Sequence, residues 1–231
     1  MRRVAALSLA LLLLSGCSGE KNPVRPIPIG YPPESNSPEH AVLRFLFMYE
    51  QKRPQEYQDL FTIDFMFEFS NSTDPDLVTK YLTGWFKSDE TESSTHLFQG
   101  WNPPGQPYAP AASAIDITLK TSLPVDDTSP GVDPVTHKVL VTRVDGRIVI
   151  PPTPPATDPT EFLIENNVVA LYLVRGDQAS LVSSQLADSV HWYVYRWVDL
   201  TVASAPQAIS KSFAPLPSRG GTWGSVKAAY R

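Results

Sequence analysis

The sequence predicts an α+β domain, and three observations predict it. From Ser37 to about Trp85, apolar residues recur at three and four positions, the spacing of helices with one buried face. After Ser88 they recur at every second position, as in strands with one wet face. The prolines, 23 in the chain, gather between these segments rather than within them. Helices first and strands afterwards argue for segregated layers.

Ser37-Pro38-Glu39 reads as a helix start: an N-cap hydroxyl, a proline in the first turn and an acid at the positive helix end. Ala41, Val42, Phe45, Leu46 and Tyr49 give this helix its apolar stripe, and it is expected to end near Lys52. Pro54 opens a second, short helix carrying Tyr57, Leu60 and Phe61. Ile63 to Phe69 is apolar and irregular, with Phe65, Phe67 and Phe69 alternating. Asp74-Pro75 opens a third helix, in which Leu77, Val78, Tyr81, Leu82 and Trp85 repeat. His96–Gly100 is a short strand candidate. Ile115, Ile117 and Leu119 alternate with Asp116, Thr118 and Lys120. Lys138 to Val144 is a further strand, Asp145-Gly146 a hairpin turn signal, and Arg147–Ile150 the return. Phe162 to Arg175 is the longest β-type stretch, and Val168–Val174, apolar on both faces, is expected at the centre of the sheet. Val190 to Thr201 is the last strand. Trp223 to Tyr230 is a short amphipathic helix with Trp223, Val226, Lys227 and Tyr230 on one side.

The domain so defined covers residues 37–231. Before it, Met1, Arg2 and Arg3 give a positive start, and Val4 to Leu14 is apolar apart from Ser8. That run is shorter than the roughly 17–25 residues of a spanning helix and has the layout of a secretory signal peptide. Residues 1–16 are therefore expected to be removed. Removing Arg2 and Arg3 takes the net charge from -5 to -7, which excludes the basic footprint of a nucleic-acid partner. Residues 18–36 hold Pro23, Pro26, Pro28, Pro32 and Pro33 and read as a stiff linker. Cys17 is the only cysteine, so no internal disulfide forms.

The ending Leu14-Ser15-Gly16-Cys17 resembles the lipobox of bacterial lipoproteins. The resemblance implies cleavage before Cys17 and acylation of its thiol, as by palmitate, and of its new amino group. The chain would then be held at the cell envelope by its lipid. Ser18 after the cysteine resembles an outer-membrane address.

A second resemblance covers about residues 37–231. S-P-E-H-A-V-L-R-F-L-F-M-Y-E followed by P-Q-E-Y-Q-D-L-F-T-I-D-F-M-F resembles the helical start of nuclear transport factor 2-like domains. His191 to Thr201 resembles their long last strand, and W-G-S-V-K-A-A-Y the tail of small bacterial lipoproteins with that domain. The resemblance implies a cone: N-terminal helices packed in the hollow of a curved antiparallel sheet. Members include ketosteroid isomerases, dehydratases and non-catalytic binding modules, so fold does not fix function. The leading expectation is a non-catalytic module that binds a small ligand or an envelope partner. The alternatives are an isomerase- or dehydratase-like enzyme using the cone, and a purely structural envelope lipoprotein.

On strict alternation the last strand places Trp192, Val194, Arg196, Val198 and Leu200 on the helix side. It places His191, Tyr193, Tyr195, Trp197 and Asp199 on the other. Arg196 either holds an anionic ligand group or pairs with an acid such as Asp64 or Glu68. Tyr193, Tyr195 and Trp197 are candidates for a partner or homodimer surface, or for ordinary sheet packing. The pocket candidates are Tyr57, Phe61, Asp64, Trp85, Trp192 and Arg196. An enzyme would use Asp64, among Phe61, Phe65 and Phe67, as its base with Tyr57 opposite. The bland alternative for Asp64 is a turn or cap residue. His40, His96, His137 and His191 share no ligand spacing, so no metal is expected. No cofactor and no catalytic residue is expected. Asp126-Asp127 and Asp74-x-Asp76 read as solvated loop acids, with calcium a weaker reading.

Overall fold

Residues 32–70, 75–102, 104–105, 108–201 and 218–231 are described by the structure, a computed structural model, with 218–221 taken as backbone only. Cys17, the expected signal segment, most of the expected linker and Asp74 lie outside the described residues. Pro32–Arg231 forms one unit.

Helix α1, Pro38–Glu50, starts where its cap signal stands. The Ser37 hydroxyl accepts the His40 N–H at 3.2 Å, filling one orphan donor of the first turn. Its buried stripe is Ala41, Val42, Phe45, Met48 and Tyr49. Helix α2, Pro54–Gln58, buries Tyr57. The next segment is strand β1, Phe61–Glu68, so the alternating phenylalanines mark a strand. The third helix is brief: α3 covers Pro75–Lys80, and Trp85–Phe86 forms strand β2 on β1.

Helix α4, Lys87–Gln99, corrects the strand expected at His96–Gly100. Its buried face is Glu90, Ser93, Ser94, Leu97 and Phe98. That is helical spacing, carried in its first half by polar residues, which an apolar pattern search passes over. The Asp89 carboxylate accepts the Phe86 N–H at 2.8 Å at the helix entry.

The remaining strands are β3 (Ala114–Thr121), β4 (Val125–Asp126), β5 (His137–Ile150), β6 (Thr160–Arg175), β7 (Trp192–Asp199) and β8 (Ser218–Gly221). Helix α5, Trp223–Ala229, follows. The sheet runs β2-β1-β7-β6-β5-β3, with β4 beside β5 and β8 beside β6. It is curved and unclosed. Its pairs are antiparallel except β1–β7 and β6–β8, which are parallel. As expected, Val168–Val174 lies in an interior strand.

Asp145-Gly146 is not a hairpin turn. β5 runs straight through it, with a register shift between Val144 and Gly146 against β6. The Asp145 carboxylate accepts the Asn166 N–H at 2.8 Å, and Asn166 has φ of 56°. Gly146 serves close approach: a Cβ there would meet the Asp116 carbonyl oxygen at 3.2 Å. The Asp-Gly pair stands opposite a bulge in β6, where Glu165 and Asn166 face the single residue Asp145.

Candidate functional site

The inner side of the sheet and the helices enclose an aromatic interior. Phe45 packs edge-on to Trp197 at 5.1 Å, and Tyr49 meets Trp223 at 4.8 Å. Tyr57 meets Phe61 at 4.9 Å, and Phe67 meets Trp197 at 5.4 Å. Such tilted and edge-to-face pairs add to plain burial. The packing leaves a void of about 10 Å³ between Phe45, Leu119, Thr142, Val144, Val169, Leu171, Trp197 and Trp223. That volume holds a single water at most.

A charged pair lies inside this apolar packing. Glu90 of α4 and Lys227 of α5 form an ion pair, and each side chain is 1% exposed. Glu90 Oε1 accepts the Tyr57 hydroxyl at 2.6 Å, and Oε2 accepts the Trp85 indole N–H at 3.0 Å. The Lys227 ammonium also stands over the rings of Trp197 at 3.9 Å and Phe67 at 4.7 Å. Burial brings Lys227 down to about 8, against the opposing attraction of Glu90 and Asp199. Burial and the nearby Glu90 push Tyr49 and Tyr57 well above the usual phenol range. Neither Glu90 nor Lys227 stood among the pocket candidates. The signal was there in part: Lys227 sits on the apolar side of α5, and Glu90 opens the helical period of α4.

The pocket candidates divide. Tyr57, Phe61 and Trp85 are fully buried in the interior, and Trp192 packs at its edge with 9% exposure. Asp64 does not join them. β1 is irregular against β7 between Phe61 and Met66, and this bulge turns Ile63 and Asp64 outward to solvent. The Asp64–Tyr57 constellation does not assemble.

Arg196 is also corrected. Tyr172 pairs with Arg196 and Leu173 with Val194, so Tyr195 is an extra residue in β7. One extra residue inverts the alternation beyond it. Val194 faces inward, and beyond the bulge Trp197 takes the inner side, 1% exposed. Arg196 moves to the outer face. Its Nε donates to Glu68 Oε1 at 2.7 Å and its guanidinium lies 4.9 Å over Tyr172. The ion-pair alternative is the one the geometry supports, with Glu68 as the acid.

Of the surface candidates, Trp197 is core. Tyr193 is 5% exposed, and its hydroxyl exchanges hydrogen bonds with Leu186 N and O at 2.9 and 3.2 Å. Tyr195 stays half-buried on the outer side, donating its hydroxyl to Asp127. Burial and this carboxylate raise the Tyr195 phenol. Two rows cross the outer face through the paired strands. One is Val125–Val139–Tyr172–Arg196–Met66, the other Val141–Ala170–Val198–Glu68. Val125 is 56% and Val141 40% exposed. This is an unusually apolar outer side for a one-face-buried sheet.

Two open grooves lie elsewhere. One, of 220 Å³, is lined by residues including Arg44, Asp59, His191 and Tyr193. The other, of 410 Å³, lies between α3 and α5. Asp126 pairs with Lys138, and Asp127 accepts from Ser129 N at 2.8 Å as well as Tyr195, so both have protein partners. Among the described residues no three metal-type ligands converge, and no helix is long and apolar enough to cross a membrane.

No protein-family model and no curated protein matches this chain. Solved structures do resemble it. A nuclear transport factor 2-like superfamily protein from Salmonella enterica serovar Typhimurium LT2 is 9% identical with a TM-score of 0.41, covering 74% of this chain and 92% of its own. A ketosteroid isomerase-like protein from Erwinia carotovora atroseptica SCRI1043 is 10% identical with a TM-score of 0.38, covering 71% and 93%. A conserved protein from Planctomyces limnophilus DSM 3776 is 12% identical with a TM-score of 0.36, covering 70% and 90%. No residue of this chain takes a role from them.

Proposed function

We propose that this chain is a lipid-anchored cell-envelope protein whose domain binds a protein partner through the outer sheet face and carries out no chemistry in its hollow. One observation carries the reading: the hollow is filled by the chain's own side chains around a void of about 10 Å³. Pockets that hold small molecules run to about 300–1,000 Å³. An enzyme using the cone would also need its carboxylate facing a substrate; Asp64 faces solvent, and Glu90 is spent on Lys227, Tyr57 and Trp85. The outer face supplies what the hollow lacks, a surface of exposed Val125 and Val141 with half-buried Tyr172 and Tyr195 around the Arg196–Glu68 pair.

Anchorage rests on Cys17 and the segment before it. The acidic domain has no pull toward anionic lipid, so the acyl chains hold it at the membrane, and Ser18 favours the outer one.

Native mass spectrometry of the mature protein released from its own envelope tests this reading. The expected species is a complex with a second protein chain, either another copy or a different envelope protein, that Val141→Lys disrupts. A small molecule retained by the monomer, or a complex indifferent to Val141→Lys, contradicts it.

A further inference from the structure

The Lys227 ammonium sits in a cage built by other elements. Glu90 comes from α4, Tyr57 from α2, Trp85 from β2, Phe67 from β1 and Trp197 from β7. The carboxylate is fixed without the lysine: Tyr57 donates to one oxygen at 2.6 Å and Trp85 to the other at 3.0 Å. Its remaining charge meets the ammonium beside two ring faces, at 3.9 and 4.7 Å. Helix α5 enters as a separate piece. The Ser93 hydroxyl donates to the Lys227 carbonyl oxygen at 2.7 Å, and His96 Nδ1 contacts the Tyr230 carbonyl oxygen at 2.8 Å. Arg231 pairs with Asp89 at 2.6 Å and with Glu92.

Filling the space requires none of this. Apolar residues at both 90 and 227 would supply similar volume without desolvating two charges, and such replacements of whole buried pairs are often neutral or stabilising. A carboxylate beside aromatic faces is the arrangement by which ammonium groups are recognised.

We infer that the hollow contains a binding site for a primary ammonium group, that Lys227 is its built-in occupant, and that the site takes a primary alkylammonium ligand once the lysine side chain is removed. A primary ammonium keeps the hydrogen bond to Glu90 Oε2 that a quaternary ammonium has no proton to make. This inference stands apart from the outer-face reading, and either fails without the other.

The test uses the full chain with Lys227→Ala, which deletes Cγ, Cδ, Cε and Nζ, the heavy atoms of n-propylammonium. Thermal melts are run in n-propylammonium chloride, tetramethylammonium chloride and sodium chloride at equal ionic strength. At about ten times its Kd, n-propylammonium raises the Tm of Lys227→Ala by roughly 3–6 °C. It leaves wild type unmoved, and adding Glu90→Gln abolishes the rise. Lys227→Met, which fills the site, also gives no rise. Equal responses of Lys227→Ala and Lys227→Met, or of the two ammonium salts, overturn the inference. Should Lys227→Ala be unfolded in sodium chloride, the same titration reads recovery of its near-ultraviolet circular dichroism. No recovery at saturation then overturns the inference equally.

Discussion

Replacing Trp197 and Arg196 separately by alanine tests the bulge that sets the inner and outer faces of β7. The neighbours differ by one position and, because Tyr195 is an extra residue, lie on opposite sides of the sheet. Trp197 is 1% exposed, touches Phe45, Phe67 and Trp223, and lies under the Lys227 ammonium. Its loss costs about 3–5 kcal/mol from the cavity, with up to about 2 more from the lost cation–π contact. Arg196 makes one ion pair with side chains 33% and 35% exposed and one contact with Tyr172. Its loss costs about 1 kcal/mol or less. Urea unfolding at unchanged slope reads both. The expected gap exceeds about 2 kcal/mol, with Trp197→Ala the weaker protein. Strict alternation predicts the reverse, since it buries Arg196 and exposes Trp197. An Arg196→Ala cost equal to or above that of Trp197→Ala refutes the bulge and the face assignment with it.

The buried lysine gives a pH dependence. Lys227 in the folded chain loses its proton at about 8, whereas an unfolded lysine keeps it to about 10.4. Between those values the unfolded state binds more protons, so stability rises with pH, by about 2 kcal/mol from pH 8 to 9.5. Lys87, also lowered by burial, adds in the same sense. Above about pH 10 stability falls, because Tyr49 and Tyr57 hold their protons only in the fold. Urea midpoints across this range check the sign; Lys227→Met flattens the rise, and a fall from pH 8 to 9.5 in wild type contradicts it. Tyr57→Phe removes one donor from the buried Glu90 carboxylate and costs about 1–3 kcal/mol in the same unfolding assay; a neutral effect there speaks against the pair being ionised. Cells fed a fatty-acid analogue label wild type and not Cys17→Ser, and equal labelling of both removes the lipid anchor.

Much of the architecture is legible in the sequence where one physical signal acts alone. Ser37-Pro38-Glu39 caps α1 as read, and the apolar run at Val168–Val174 lies inside the sheet. Legibility fails where packing inverts the usual chemistry. The buried face of α4 is spelled Glu90, Ser93 and Ser94 before any apolar residue, because its neighbour α5 presents Lys227 and a carbonyl. Asp145-Gly146 reads as a turn, but β5 continues through it, opposite a bulge in β6 that no local pattern announces. In β7 the pattern W-Y-V-Y-R-W-V-D alternates bulky residues at both parities, so nothing local says that Tyr195 is supernumerary. That single residue decides the fate of Arg196 and Trp197. The outer face was legible only as a row of aromatics; its valines become visible once β4, β5 and β6 are aligned.

The central claim is that the chain fills its own hollow, with Lys227 inside. Reductive methylation of the native protein, read residue by residue by mass spectrometry, measures this directly. Lys120, whose side chain is 64% exposed, reports the open rate, and Lys227, at 1%, the interior. The account predicts that Lys227 stays unmodified when Lys120 is fully dimethylated, and becomes modified only on unfolding. Modification of Lys227 alongside Lys120 in the folded protein would place α5 outside the hollow and contradict the account.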